Sequence, residues 1–154
     1  MDFFEVVIEI PQGSNEKYEY DEASKEMKLN FVFKDLVYPY NYGFVPNTLA
    51  GDGDPLDVIV LSSSPLKRGE TVKCAPIGVL EMLDRNEVDN KIIAVLSQDP
   101  LEAKIKDIGD INDITKEQWK IFWAEVARQK NKTIEVQGFV GKESALEEIK
   151  KSSK

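Results

Sequence analysis

Three aspartates fall within six residues in the stretch Gly51-Asp52-Gly53-Asp54-Pro55-Leu56-Asp57. Carboxylates at that density repel one another unless cations neutralise them, and hard divalent ions prefer such oxygen ligands. Gly53 lets the backbone turn and Pro55 fixes it, so the aspartates sit on a shaped loop. A second acidic stretch, Asp84-Arg85-Asn86-Glu87-Val88-Asp89-Asn90-Lys91, begins 27 residues after Asp57. Each stretch leads into an apolar run, Val58-Ile59-Val60-Leu61 in one case and Ile92-Ile93-Ala94-Val95-Leu96 in the other. Two acidic loops feeding two strands would converge at one end of a sheet or barrel, with several hard cations held between them. Asp and Gly also suit turns for reasons of backbone conformation alone. On composition by itself, the metal site and the plain acidic turn stand level.

Other residue types narrow the chemistry. The chain of 154 residues has no histidine and one cysteine, Cys74. That removes His-assisted serine or cysteine catalysis and zinc sites of the Cys/His type. Any metal must be held by oxygen, which points to magnesium, manganese or calcium. A calcium-sensor loop is excluded by spacing: counting from Asp52, the twelfth position, where a glutamate is needed, is Ser63. The net charge of −8 disfavours nucleic acid as a partner. No apolar run approaches the ~20 residues of a membrane span. Met1-Asp2-Phe3-Phe4-Glu5 lacks the features of a signal peptide, and one cysteine allows no internal disulfide, so a cytoplasmic location is expected.

The elements that must position these groups are short. Val6–Ile10 and Leu29–Phe33 are apolar runs of strand length, and Pro11 to Asn15 reads as a turn or loop. Lys17-Tyr18-Glu19-Tyr20 alternates as a strand does, which places Lys17 and Glu19 on one face. Val72–Leu80 reads as a strand interrupted by Pro76, and Ile134–Phe139 as another. In the last third, Thr115 with Gln118 three residues on reads as a helix N-cap. Trp119, Phe122, Trp123 and Val126 then recur at helical spacing, and Lys142 to Lys150 forms a second short helix. Short strands followed by helices suggest an α+β, mainly β, single domain over residues 1–154. In it a compact β-barrel carries helices on its outside. Only the last few residues are expected to be disordered.

The stretch Asp52 to Val58 resembles the signature of soluble inorganic pyrophosphatases at every defining position. Lys17-Tyr18-Glu19-Tyr20-Asp21 is similar to that family's Lys-Tyr-Glu segment, and Tyr38-Pro39-Tyr40-Asn41-Tyr42-Gly43-Phe44 to its Tyr-Pro-x-Asn-Tyr-Gly segment. Asp84, Asp89 and Lys91 reproduce its Asp-x4-Asp-x-Lys. The matches are collinear from about Val6 to Gly138. The resemblance implies a small closed five-stranded, OB-like β-barrel with flanking helices, assembled as a homo-oligomer, most often a hexamer. It implies magnesium-dependent hydrolysis of diphosphate to two phosphates by metal-activated water, with manganese as a possible substitute. Carried across by position, Asp52, Asp57, Asp84, Asp89 and Glu19 would hold metal and Asp54 would be the general base. Lys17, Tyr42 and Lys91 would bind substrate, and Glu9 would stand behind the metal ligands.

The sequence departs from that pattern at three positions. An arginine of the family corresponds to Asn30, and a Tyr-Lys pair on the long helix corresponds to Glu125 and Val126. All three family groups bind the leaving phosphate, so the metal half of the site is retained and the leaving-group half is stripped. Arg128 and Lys130, each near one helical turn further on, and Lys34 are the candidate replacements. Two other readings follow from the departure. One is hydrolysis of a different phosphoanhydride, and the other is a catalytically weak metal-binding homologue with a regulatory or structural role.

Overall fold

β-Branched runs bounded by turn residues become strands when both of their faces can be covered. The computed structural model describes residues 3–51 and 53–154. In chain order the strands are β1 (Phe4–Ile10), β2 (Glu16–Asp21), β3 (Glu26–Val32), β4 (Asn41–Phe44), β5 (Asp57–Leu61), β6 (Thr71–Asp84), β7 (Glu87–Val88), β8 (Lys91–Leu96) and β9 (Ile134–Gly141). The helices are α1 (Asp113–Gln129) and α2 (Lys142–Ser152), preceded by single 3-10 turns at Pro100–Ala103 and Ile108–Asp110. The fold is mainly β with two helices.

β1 pairs antiparallel with β4, and β4 antiparallel with β5. β5 runs parallel to β8, β8 antiparallel to β6, and β6 pairs antiparallel with β1 again. The length of β6 permits this. Its Thr71–Cys74 end faces β1, its middle faces β8, and Gly78–Asp84 faces β9. β2 and β3 form a separate antiparallel hairpin. β1 and β4 approach closely at Gly43, where an added Cβ would lie 2.0 Å from the Val7 carbonyl oxygen.

Alternation along the central strands divides the core. Val58 and Val60 of β5 and Ile92 and Ala94 of β8 join Val6, Ile8, Leu56 and Ala145 in one cluster. Their neighbours Ile59, Ile93 and Val95 point the other way, into a cluster with Tyr38, Tyr40, Trp119, Phe122 and Trp123. A parallel pair covered on both faces explains why β5 and β8 read as unbroken apolar runs. Each buried Val or Ile side chain contributes about 1.5–3 kcal/mol. Helix α1 therefore covers one face, and α2 reaches the other through Ala145.

Three expectations are corrected. The N-cap of α1 is Asn112, whose side chain accepts a hydrogen bond from the Thr115 backbone N–H at 2.8 Å. Thr115 lies inside the first turn, because the Asn amide oxygen three residues earlier already serves that orphan donor. Pro76 does not interrupt its strand; β6 runs through it, with a register shift against β8 between Pro76 and Gly78 that absorbs the missing N–H. The last residues are held in place. Ser152 is buried, Ser153 bridges to Thr48, and the Lys154 N–H donates to the Asn47 carbonyl at 3.1 Å.

Candidate active site

The parallel register of β5 and β8 builds the centre of the site. Asp57 and Lys91 are the first residues of their strands and are register partners. Parallel strands begin at the same end, so the loops preceding them emerge side by side. One is the loop that leads into Asp57, drawn tight by hydrogen bonds from Ala50 N–H to the Asp54 carbonyl (2.8 Å) and from Gly53 N–H to the Ala50 carbonyl (3.0 Å). Gly53 takes φ +88°, as its place in the turn requires. Thr48 supports the loop from beneath, accepting from Leu56 N–H at 2.9 Å and donating to the Val45 carbonyl at 2.6 Å. The other loop follows β6. Arg85 and Asn86 both have positive φ, the conformation of a two-residue hairpin turn, which leaves Asp84 and Glu87 paired across it. Asp89 is fixed by its N–H donating to the Met82 carbonyl at 2.9 Å.

These loops open onto a cavity of about 700 Å3. Its lining includes Glu9, Lys17, Glu19, Tyr42, Asp54, Asp57, Asp84, Asp89 and Lys91, nine of the ten residues singled out from the sequence. The tenth, Asp52, lies outside the described residues. The β2–β3 hairpin contributes Lys17 and Glu19, which contact each other on one face of β2 as the alternation predicts. A bulge between Lys17 and Tyr18 leaves Asn30 as the extra residue on β3, and Lys17 Nζ donates to its side-chain oxygen at 3.3 Å.

Charge in the cavity is arranged in pairs. The Lys91 ammonium is buried between Asp57 (2.7 Å) and Asp89 (2.8 Å), with the Tyr42 and Trp123 rings 5.6 and 5.5 Å from it. Burial pulls its pKa down, but the two carboxylates outweigh that and raise it. Burial raises the carboxyl of Asp57, with Asp89 adding to the rise and Lys91 and the Tyr42 hydroxyl opposing it. Burial also pushes Glu9 up to about 8, although the Tyr20 N–H donates to its carboxylate at 2.8 Å. Asp84 runs the other way. Partial burial would raise it, and the Lys132 ammonium at 2.7 Å holds it below the ordinary carboxylate range. Lys132 and Arg85 were not anticipated from the sequence. The Lys130-Asn131-Lys132 run just after α1 is the signal that could have found the first.

Among the described residues, no three carboxylates close on one point as a complete ligand set. The donors are all oxygen and mostly carboxylate, and burial strains them toward protonation at Asp57 and Glu9. Donors of that kind suit a hard divalent cation, which would relieve their repulsion. Tyr42 is both a core aromatic and a cavity wall. The surrounding motif is structural. Asn41 accepts from Gln12 and Leu66 N–H groups, both at 3.0 Å, and donates to the Val60 carbonyl and the Ser62 hydroxyl. Trp123 Nε1 donates to the Tyr40 hydroxyl at 2.8 Å.

The profile of the family described as "Inorganic pyrophosphatase" matches residues 6–154. The chain belongs to the inorganic pyrophosphatase family. An inorganic pyrophosphatase of Aquifex pyrophilus is 43% identical over 150 residues, which is 95% of this chain and 85% of that protein. One from Aeropyrum pernix is 45% identical over 125 residues, covering 79% and 71% of the two chains. Among solved structures, an inorganic pyrophosphatase from Helicobacter pylori superposes with a TM-score of 0.92 at 41% identity, covering 98% of this chain and 91% of its own. Within this pyrophosphatase, the positions that depart from the family pattern separate cleanly. Asn30 and Val126 line the cavity, whereas Glu125 does not. Its carboxylate is held to about 2 by hydrogen bonds from Arg128 and Gln129. Arg128 is thereby committed to Glu125 at 2.8 Å, and the Lys34 backbone to the Gln129 side chain. Neither Arg128 nor Lys34 reaches the cavity; Lys130 does.

Proposed function

We propose that this chain hydrolyses inorganic diphosphate to two phosphates at the cavity between the β5 and β8 loops, with magnesium as the cofactor. The observation that carries this reading is the parallel register of Asp57 and Lys91, which brings both acidic loops to one cavity, lined also by Lys17 and Tyr42, in a member of the pyrophosphatase family. Asp57, Asp84, Asp89 and Glu19, with Asp52 by position in the motif, are assigned as the groups that hold metal. Bound divalent cations would lower the pKa of water from 15.7 toward neutrality and offset the charge of diphosphate.

The chain's own groups do the rest. Asp54, on the tight turn facing the cavity, takes a proton from the attacking water. Lys17 and Tyr42, which both line the cavity, hold the phosphoryl group under attack, because phosphoryl transfer asks mainly for placement and charge compensation. Lys91 keeps Asp57 and Asp89 at a fixed separation. Glu9 stands behind them, anchored to Tyr20. The cyclic pairing β1–β4–β5–β8–β6–β1 supports a small closed barrel as the scaffold. No helix of the described residues is long and apolar enough to cross a membrane, and a cytoplasmic location is part of the proposal. A single domain over 1–154, assembled as a homohexamer, completes the proposal.

Phosphate release from diphosphate, ATP and tripolyphosphate, each with magnesium and with EDTA, tests it. Preferred turnover of diphosphate that EDTA abolishes is expected. Preference for ATP or tripolyphosphate, or no release from any of them, overturns it.

A further inference from the structure

The cavity's cations are unequal. Lys17 is engaged with Glu19, Lys91 with Asp57 and Asp89, and both Lys132 and Arg85 with Asp84. Among the described residues, Lys130 is the cavity-lining cation that makes neither an ion pair nor a side-chain hydrogen bond. Its ammonium lies 5.7 Å from the Phe31 ring, where the C-terminal end of α1 meets the β2–β3 hairpin. Asn30, Lys17 and Lys132 belong to the same wall. An ammonium held there among other cations is disfavoured unless an anion joins it. Its pKa accordingly falls to about 8, through burial first and then the repulsion of Lys17 and Lys132, which the carboxylates of Glu19 and Asp84 only partly offset.

We propose that Lys130 binds the phosphate that departs from diphosphate, supplying there the positive charge that Asn30 and Val126, at the positions that depart from the family pattern, do not carry. The inference rests on the function proposed above and names the residue that completes its site. The reaction has two ends. Water's oxygen forms a bond to the attacked phosphorus, and the bridging P–O bond breaks. The bridging oxygen keeps the electron pair and leaves as part of the second phosphate. Asp54 receives a proton from the water and passes it to a product phosphate, so one water and one diphosphate become two phosphates. Negative charge grows on the departing phosphate as the bridge breaks, and an ammonium already in place there stabilises the transition state more than the ground state. Lys130 acts through its ammonium form and transfers no proton in this step. Arg128 and Lys34 do not line the cavity, and Arg128 is held by Glu125.

The test uses the full chain with magnesium, reading turnover of diphosphate and, separately, calorimetric binding of methylenediphosphonate, which has no bridging oxygen to cleave. Lys130→Met is expected to lower kcat/KM by roughly 10²-fold, mostly in kcat. It should also weaken methylenediphosphonate at least tenfold. Lys130→Arg should restore most of both. Asn30→Arg added to Lys130→Met should recover part of the loss by placing a cation on the same wall, a rescue that a folding defect would not show. Arg128→Met and Lys34→Met should leave both readings unchanged. Turnover and diphosphonate binding of Lys130→Met within threefold of wild type overturns the assignment. If wild type binds the diphosphonate with loss in Lys130→Met but turns over no diphosphate, the subsite stands and the hydrolytic reading falls. Absence of both binding and turnover in wild type overturns both.

Discussion

Replacing Lys91 by methionine keeps the length of the side chain and removes an ammonium from between two carboxylates. Lys91 has 3% exposure, and its contacts to Asp57 and Asp89 are 2.7 and 2.8 Å. Deleting one member of a buried ion pair strands the other, at a cost of about 3–5 kcal/mol. Asp57 and Asp89 retain 26% and 18% side-chain exposure, so water partly rescues them and the lower end, ~3 kcal/mol, is the figure to expect. For a chain of this size that is roughly 6–12 °C in Tm. The sharper part of the prediction concerns metal. In the variant, a divalent cation meets two carboxylates with no ammonium to compete, so magnesium should stabilise Lys91→Met more than wild type. A site at one hundred times its Kd gains about 2.7 kcal/mol, and the gap narrows by the amount by which the variant's gain exceeds that of wild type. Urea unfolding of both proteins in EDTA and in magnesium measures all four quantities. A gap below ~1 kcal/mol in EDTA would show that the buried pair carries little energy. An identical gap in both buffers would show that magnesium does not enter between Asp57 and Asp89.

Further predictions separate the roles of the remaining groups. Asp54→Asn should lower turnover by roughly 10²–10⁴-fold while keeping the magnesium-induced rise in Tm, and losing both would remove Asp54 from proton transfer. Glu9 holds its proton up to about 8 in the folded chain against an ordinary 4.5. The folded state therefore binds more protons between those values, and stability falls as pH rises through that window. Glu9→Gln should flatten this slope in EDTA, whereas parallel urea midpoints at pH 5, 7 and 9 would refute it. Asp84 shows the opposite sign, since its lowered pKa contributes stability at neutral pH that is lost as the carboxylate protonates in acid. Lys132→Ala should cost about 1–2 kcal/mol at pH 7 and progressively less below ~pH 4, a convergence that acid titration of unfolding would detect. Gly43→Ala, which would press a methyl group onto the Val7 carbonyl, should cost about 3 kcal/mol or more or prevent folding. Wild-type thermal stability in that variant would mean that β1 and β4 can separate there.

Strands were legible wherever burial on both faces left an apolar run, as in β5 and β8, and α1 was legible from the helical recurrence of Trp119, Phe122, Trp123 and Val126. β4 was not, because Asn41 to Phe44 is too short and too polar in sequence to read as a strand. Its Asn41 is buried only because four hydrogen bonds satisfy its amide. The cap of α1 was misplaced because Asn112 and Thr115 are both good N-cap types, and only geometry decides which one starts the helix. For the site, the motifs located the carboxylates, and the reason for their convergence is the parallel pairing, a long-range fact that spacing alone did not contain. Lys132 and the unequal pairing of the cavity's cations depend on which side chains meet across distant elements. That also decides between Arg128, Lys130 and Lys34, three residues of similar chemistry that a sequence cannot rank.

Trp123 ties helix α1 to this chemistry in a way that makes the site visible. Its indole is buried, donates to Tyr40, lines the cavity and lies 5.5 Å from the Lys91 ammonium. The only other tryptophan, Trp119, packs edge-on against Tyr40 and outside the cavity lining. Indole emission shifts with the field of nearby charges, so any rearrangement of ammonium and carboxylates around Asp57 and Asp89 will be broadcast as a change in fluorescence from one of the chain's two emitters. The protein carries its own optical gauge of its electrostatic state, readable without a label.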